Sequence, residues 1–227
     1  MADPIVLGKN AHTDVALLPA LANRHGCITG ATGTGKTVTL QVMAQAFSQA
    51  GVPVFLADVK GDLSGISQAA QPNPKLQERL ARMGLPEPAW GGCPVTFWDV
   101  FGEKGHPVRA TVSDMGPLLL ARMLELNDTQ EGVLNIVFRL ADDEGHLLLD
   151  LKDLRALLQH VAERSSELRT QYGNVSPASV GAIQRSLLRL ESQGADQFFG
   201  EPMLDIHDFI RVNEKGQGLS ISWQPTV

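Results

Sequence analysis

Gly30-Ala31-Thr32-Gly33-Thr34-Gly35-Lys36-Thr37 places three glycines, a lysine and a hydroxyl residue at the G-x-x-x-x-G-K-[ST] spacing. Gly30, Gly33 and Gly35 let the backbone curl until successive N–H groups point at one anion. A helix starting near Gly35 adds its positive dipole end. Lys36 supplies a point charge suited to the β- and γ-phosphates of a nucleoside triphosphate, and the Thr37 hydroxyl suits a magnesium ion. The pattern predicts a nucleoside triphosphate and Mg²⁺ as ligands, with Gly33, Thr34, Gly35, Lys36 and Thr37 contacting the nucleotide, Thr37 the metal, and Lys36 also serving catalysis.

Asp58 is the second candidate. It closes the apolar run Val52 to Ala57 and is followed by Val59-Lys60-Gly61-Asp62. Two readings stand. A carboxylate at the end of a strand beside the loop would face the triphosphate and its metal, holding a magnesium-bound water or orienting the attacking one. Alternatively it is a turn aspartate that caps the loop backbone. Val59 stands where a water-activating glutamate is expected, and no other predicted strand ends in Asp-Glu.

These residues need a scaffold. Ile5 to Gly8 and Val15 to Leu18 read as short strands, and His25 to Thr29 as a strand running into the glycine-rich loop. Lys36 to Ala50 carries Leu40, Met43, Ala44 and Phe47 at helical spacing and stops at Gly51. With Val52 to Ala57 as a buried strand, the segment forms a βαβ unit. A short helix is predicted over Pro74 to Met83, and strands over Pro94 to Trp98 and Val108 to Val112. From Ser113 to about Gly194 the pattern is helical. Ser113 is expected to cap Met115 to Leu126, Asp128 to cap Thr129 to Ala141, and Asp150 or Asp153 to open a segment through Leu168. Ser176 and Pro177 open a helix that runs to Ser192. The predicted organisation is a P-loop α/β core over residues 1–112, a helical insertion over 113–196, and a return to the core over 197–227.

Composition narrows the function classes. A 43% hydrophobic content supports a packed core, and the net charge of −6 argues against constitutive nucleic-acid binding by this segment. Cys27 and Cys93 form no disulfide framework or metal pattern, which points to a reducing cytosol. Met1-Ala2-Asp3-Pro4 lacks the basic and apolar parts of a signal peptide, and no apolar run approaches the ~18 residues of a membrane span. The expected location is cytoplasmic. Cys27 reads as a small buried hydrophobe. His25, His106, His146, His160 and His207 show no metal-ligand spacing, and Trp90, Trp98 and Trp223 do not interleave with basic residues. Arg155, Arg164, Arg169, Arg185 and Arg189 read as a solvated helix face paired with Glu163, Glu167 and Glu191, or as the source of an arginine finger.

Longer stretches carry a family resemblance. Ala22 to Thr37 and Pro53 to Asp62 resemble bacterial HerA-like helicase-domain proteins of the YjgR-like group, as do Gly105 to Thr111, Leu126 to Gly132, Tyr172 to Ser176 and Gln197 to Pro202. The resemblance extends to about Gly218. It implies a RecA-like ATPase core of the HerA/FtsK type, homo-oligomers that include hexameric rings, and possible action on DNA. On matching positions the nucleotide role falls on Gly33, Thr34, Gly35, Lys36 and Thr37, and Asp58 matches the acid after the second core strand. The resemblance also implies a chain roughly as long again, with the strand ending in Asp-Glu-Ala-His beyond residue 227.

Leu219 to Val227 departs from the family pattern, and deletion of one base in the Leu219 codon of a family-like gene would produce these residues. The expectation is a frame-shifted or truncated end that exposes apolar sheet edges and favours aggregation. Two functions remain open from the sequence: an ATPase that hydrolyses Mg-ATP in its full-length form, or a nucleotide-binding regulatory or scaffold module without turnover.

Overall fold

The computed structural model describes residues 3–10, 12–88 and 90–223, in two compact units. Met1 and Ala2 of the amino-terminal reading and residues 224–227 of the divergent end lie outside the described residues. The chain is a mixed α/β protein of helices and small sheets. Among the described residues no helix is long and apolar enough to cross a membrane.

The first unit comprises Met1–Asp99, Lys104–His106 and Asp205–Val227. Strand β1 (Ile5–Lys9) pairs antiparallel with β2 (Asp14–Leu17). Asn10 makes the turn between them, its side-chain oxygen accepting the amides of His12 and Thr13 at 2.8 Å each. Helix α1 (Lys36–Gln49) follows the glycine-rich loop, and β3 (Val54–Ala57) follows α1. Helix α2 (Pro74–Met83) shows a complete set of end signals: Asn73 caps it, Pro74 opens it, and Gly84 closes it at φ 60°. Strands β4 (Val95–Asp99), β5 (His106–Pro107) and β6 (Ser220–Trp223) complete a sheet of order β3-β6-β4-β5. Strand β6 lies parallel between β3 and β4, with Ile221 opposite both Phe55 and Thr96. Ala44 of α1 packs on Leu56 of β3 and on Leu63, with Val54 and Ile66 around them.

The far end of α1 is clamped. The buried Ser48 hydroxyl donates to the Gly218 carbonyl at 2.6 Å, and the Gly218 amide donates to the Ser48 carbonyl at 2.8 Å. A β-carbon on Gly218 would lie 2.2 Å from the Val52 carbonyl, so only glycine admits this approach.

The second unit comprises Val100–Glu103 and Pro107–Leu204 and is helical. Its helices are α3 (Val112–Met123), α4 (Asp128–Glu144), α5 (Leu151–Glu163), α6 (Ser165–Tyr172), α7 (Pro177–Glu191) and the short α8 (Ala195–Phe198). Reciprocal capping boxes open α3 (Thr111 with Asp114), α4 (Asn127 with Gln130) and α5 (Asp150 with Asp153). Leu120, Leu134, Val137, Leu154, Leu158, Ile183 and Leu187 lie at the centre of one continuous apolar core.

Several boundaries differ from the sequence expectation, each for a local reason. Val108 to Val112 is not a strand. Thr111 is already capping α3, so Ala110 makes only an isolated bridge to Phe199. Ser113 therefore sits inside α3, and Asn127 rather than Asp128 caps α4. The segment expected to run through Leu168 breaks at Arg164, which lies between α5 and α6. Leu188 was expected inside but is 54% exposed, on the outer face of α7.

Candidate functional site

The glycine-rich loop leaves Gly33 and Gly35 at φ 80° and 93°, the left-handed region that a side chain disfavours. Gly35 is the last residue before α1, so the loop ends at the amino terminus of a 14-residue helix. No side-chain cap occupies that terminus. Gly30 matters for a different reason: a β-carbon there would lie 2.5 Å from the Thr34 hydroxyl, which donates to the Ala31 carbonyl at 2.8 Å. Gly30 to Thr34 are exposed, and Lys36 and Thr37 are half-buried.

The polar groups of the loop are held by nearby backbone and side-chain acceptors. Lys36 Nζ donates to the carbonyls of Gly30 and Ala31 at 2.8 Å each, folding the ammonium back over the loop. Thr37 Oγ1 donates to Asp62 Oδ2 at 3.2 Å, and Gln41 of α1 donates to the Asp62 carbonyl at 3.2 Å. The loop, the start of α1 and the turn after β3 are thereby brought together.

Asp58 lies at the carboxyl end of β3 and is only 2% exposed. Its Oδ2 accepts the amides of Leu63 and Ser64 at 3.0 Å each, closing the turn. Its Oδ1 is buried without a hydrogen-bond partner. The carboxylate in contact with Thr37 is therefore that of Asp62, four residues on. Nothing in its spacing from the loop singles out Asp62. The available signal was the turn Asp58-Val59-Lys60-Gly61-Asp62, in which Gly61 at φ 76° folds the chain back.

Two expectations near this site are corrected. His25 to Thr29 is not a strand, and Cys27 is exposed rather than buried. The segment offers only Cys27 and Ile28 as apolar side chains, too little surface to hold a parallel ladder. Among the described residues, β3 has no strand partner on its side away from β6. Cys93 is the buried cysteine, and burial pushes its thiol pKa up.

Elsewhere, Trp98 packs against His106 and Phe209, and Trp90 donates to Glu87. Arg155 pairs with Glu191 across two helices, Arg164 with Glu167 and Glu144, and Arg189 with Glu125. His146 and His160, which spacing did not associate, converge with Glu144 in the helical unit. Only the packing of α5 against α4 brings them together.

A family model described as Helicase HerA-like C-terminal matches residues 4–222. No curated protein and no solved structure matches the chain significantly.

Proposed function

The chain belongs to the family of HerA-like helicase C-terminal domains, and on that premise we propose that it is a P-loop protein that binds Mg-ATP and, in its full-length form, hydrolyses it. One observation carries the reading. Lys36 and Thr37 point their polar ends at internal acceptors beside an uncapped helix start, and these are contacts a phosphate and a cation would replace. The donor set fits the ligand. The amides of Gly33, Thr34 and Gly35 orient the phosphates, and Lys36 neutralises them. Thr37 presents its hydroxyl to magnesium, with Asp62 beside it. When bound, Mg-ATP supplies the transferable γ-phosphoryl group and the divalent charge.

The unit of Met1–Asp99, Lys104–His106 and Asp205–Val227 is read as the P-loop core and the helical unit as its insertion, with breaks near 107 and 204 in place of the expected 112 and 196. A cytoplasmic homo-oligomeric ring acting on DNA extends the same proposal. The alternative, binding without turnover, is favoured by one feature: Asp58 already spends one carboxylate oxygen on the Leu63 and Ser64 amides, and Val59 follows it. Equilibrium titration with a fluorescent ATP analogue and Mg²⁺ tests binding. Lys36→Ala is expected to weaken it at least about tenfold, the effect of losing ~1.4 kcal/mol. Equal affinity in the variant would defeat the P-loop reading. Phosphate release by the wild type above the Lys36→Ala level decides between turnover and binding alone.

A further inference from the structure

At the carboxyl end of α4, Glu144, His146 and His160 bring one carboxylate and two imidazoles together, each with a ligand atom within 4.8 Å of the others. We propose that this cluster is a binding site for a borderline divalent transition metal, with Zn²⁺ its fitting occupant, separate from the magnesium site of the P-loop.

The geometry is close to what zinc requires. Tetrahedral zinc with bonds of about 2.0–2.1 Å holds its ligand atoms roughly 3.3 Å apart. Glu144 Oε2 lies 3.1 Å from His146 Nε2 and 3.7 Å from His160 Nε2. The two rings meet edge to face, with centroids 6.2 Å apart, so they lie side by side without stacking. Glu144 and His146 are exposed and His160 is half-buried, so small rotamer changes close the remaining gap. Two imidazoles with one carboxylate select zinc, nickel, copper or cobalt over magnesium or calcium.

Arg164 is the obvious competitor, and its hydrogen bonds show how it yields. Its Nη1 donates to Glu144 Oε1 at 2.7 Å and to His160 Nε2 at 2.9 Å. A guanidinium has no acceptor, so His160 Nε2 carries a lone pair and the ring proton sits on Nδ1, the tautomer a metal needs. Arg164 also holds Glu167 through both Nε and Nη2, at 3.3 and 2.9 Å. Releasing Glu144 therefore leaves the guanidinium paired. Metal binding exchanges one cation for another, with the His146 Nε2 proton moving to Nδ1 or leaving to solvent.

Three protein ligands leave a fourth position for water. A pocket of about 280 Å³ adjoins the site, lined by His146, His160, Leu147, Leu148, Asp153 and Leu157, among others. Asp153 is not a ligand candidate, because its Oδ2 accepts the amides of Leu149 and Asp150.

The test uses the full 227-residue chain, freed of metal by chelator and dialysis, with no nucleotide present. Zn²⁺ is titrated in competition with a chromophoric chelator. The expected result is one equivalent bound at micromolar affinity. His146→Ala, His160→Ala and Glu144→Gln each weaken it at least about tenfold, whereas His207→Ala and Lys36→Ala leave it unchanged. Arg164→Gln, which removes the competing cation, tightens binding about threefold or more. Binding weakens in acid, because protons compete with the metal for its ligands. Cobalt substitution gives the intense visible bands of a tetrahedral site. Absence of stoichiometric zinc binding, undiminished binding in the His146→Ala/His160→Ala double variant, or the weak bands of octahedral cobalt would each overturn the proposal. Far-UV circular dichroism of the metal-free variants confirms that these substitutions leave the helices formed. Loss of nucleotide binding in Lys36→Ala with zinc binding intact keeps this site distinct from the P-loop.

Discussion

In the helical unit, Leu134, Leu154, Leu158, Ile183 and Leu187 have no exposed surface at all; in the unit carrying the glycine-rich loop, Val38, Phe55 and Val59 are more than half exposed. The side chains are equally apolar, so the difference lies in how many elements surround them. Helix α4 has α3, α5 and α7 packed on it, whereas α1 buries little beyond Ala44 and Ser48 along its length. A well-closed core resists local opening, and a sparsely packed one opens at low cost. The glycine-rich loop therefore sits on the softer of the two supports, and the chain is not expected to unfold in one step.

Substitution in the better-packed core should have the largest effect. Leu158→Ala leaves a cavity in the helical core, where that side chain is fully buried, and is expected to cost about 3–4 kcal/mol. Urea unfolding followed through far-UV circular dichroism measures it, and a loss below about 1 kcal/mol would mean the core relaxes more freely than its packing implies. Next comes Gly218→Ala, which forces a β-carbon into the Val52 carbonyl and is expected to cost about 1–3 kcal/mol. Hydrogen exchange should locate that loss in α1 and β3 and leave α4, α5 and α7 protected; uniform loss of protection would erase the contrast between the units.

The smallest effect concerns acid stability. The Arg164 guanidinium, hydrogen-bonded to Glu144, holds that carboxyl below its ordinary value, with His146 contributing. A folded-state pKa lowered in this way adds stability above the ordinary carboxylate range, and the addition disappears as pH falls through the lowered value. Melting temperatures of wild type and Glu144→Gln should thus differ slightly at pH 7 and converge below about pH 4. A difference that widens in acid would contradict the sign.

The elements most legible in the sequence were those whose signals are local. Ser176 and Pro177 open α7, and Asn73, Pro74 and Gly84 bound α2, because caps and stops act within a turn of the backbone. The caps of α3 and α4 were read too late, at Ser113 instead of Thr111 and at Asp128 instead of Asn127, because the reciprocal bonds that select them, from Asp114 and Gln130, form only in the folded turn. Strand β6 was illegible, since its four residues form a strand only by pairing with Val54 to Ala57 and Val95 to Trp98. At the candidate site, the helix start that carries Lys36 and Thr37 was legible from motif spacing. The Asp62 contact and the meeting of His146 with His160 were not, because each depends on how a turn or a helix pair folds back.

The clamp between Ser48 and Gly218 has a consequence for the order in which the protein takes shape as it leaves the ribosome. Every residue that closes the helical core lies between Val112 and Phe199. The base of α1 waits for a partner 170 positions further along. Emerging from amino to carboxyl end, the chain completes the middle of its sequence first and holds the glycine-rich loop only loosely until residue 218 arrives. The glycine-rich loop is among the first parts to be made and among the last to be secured.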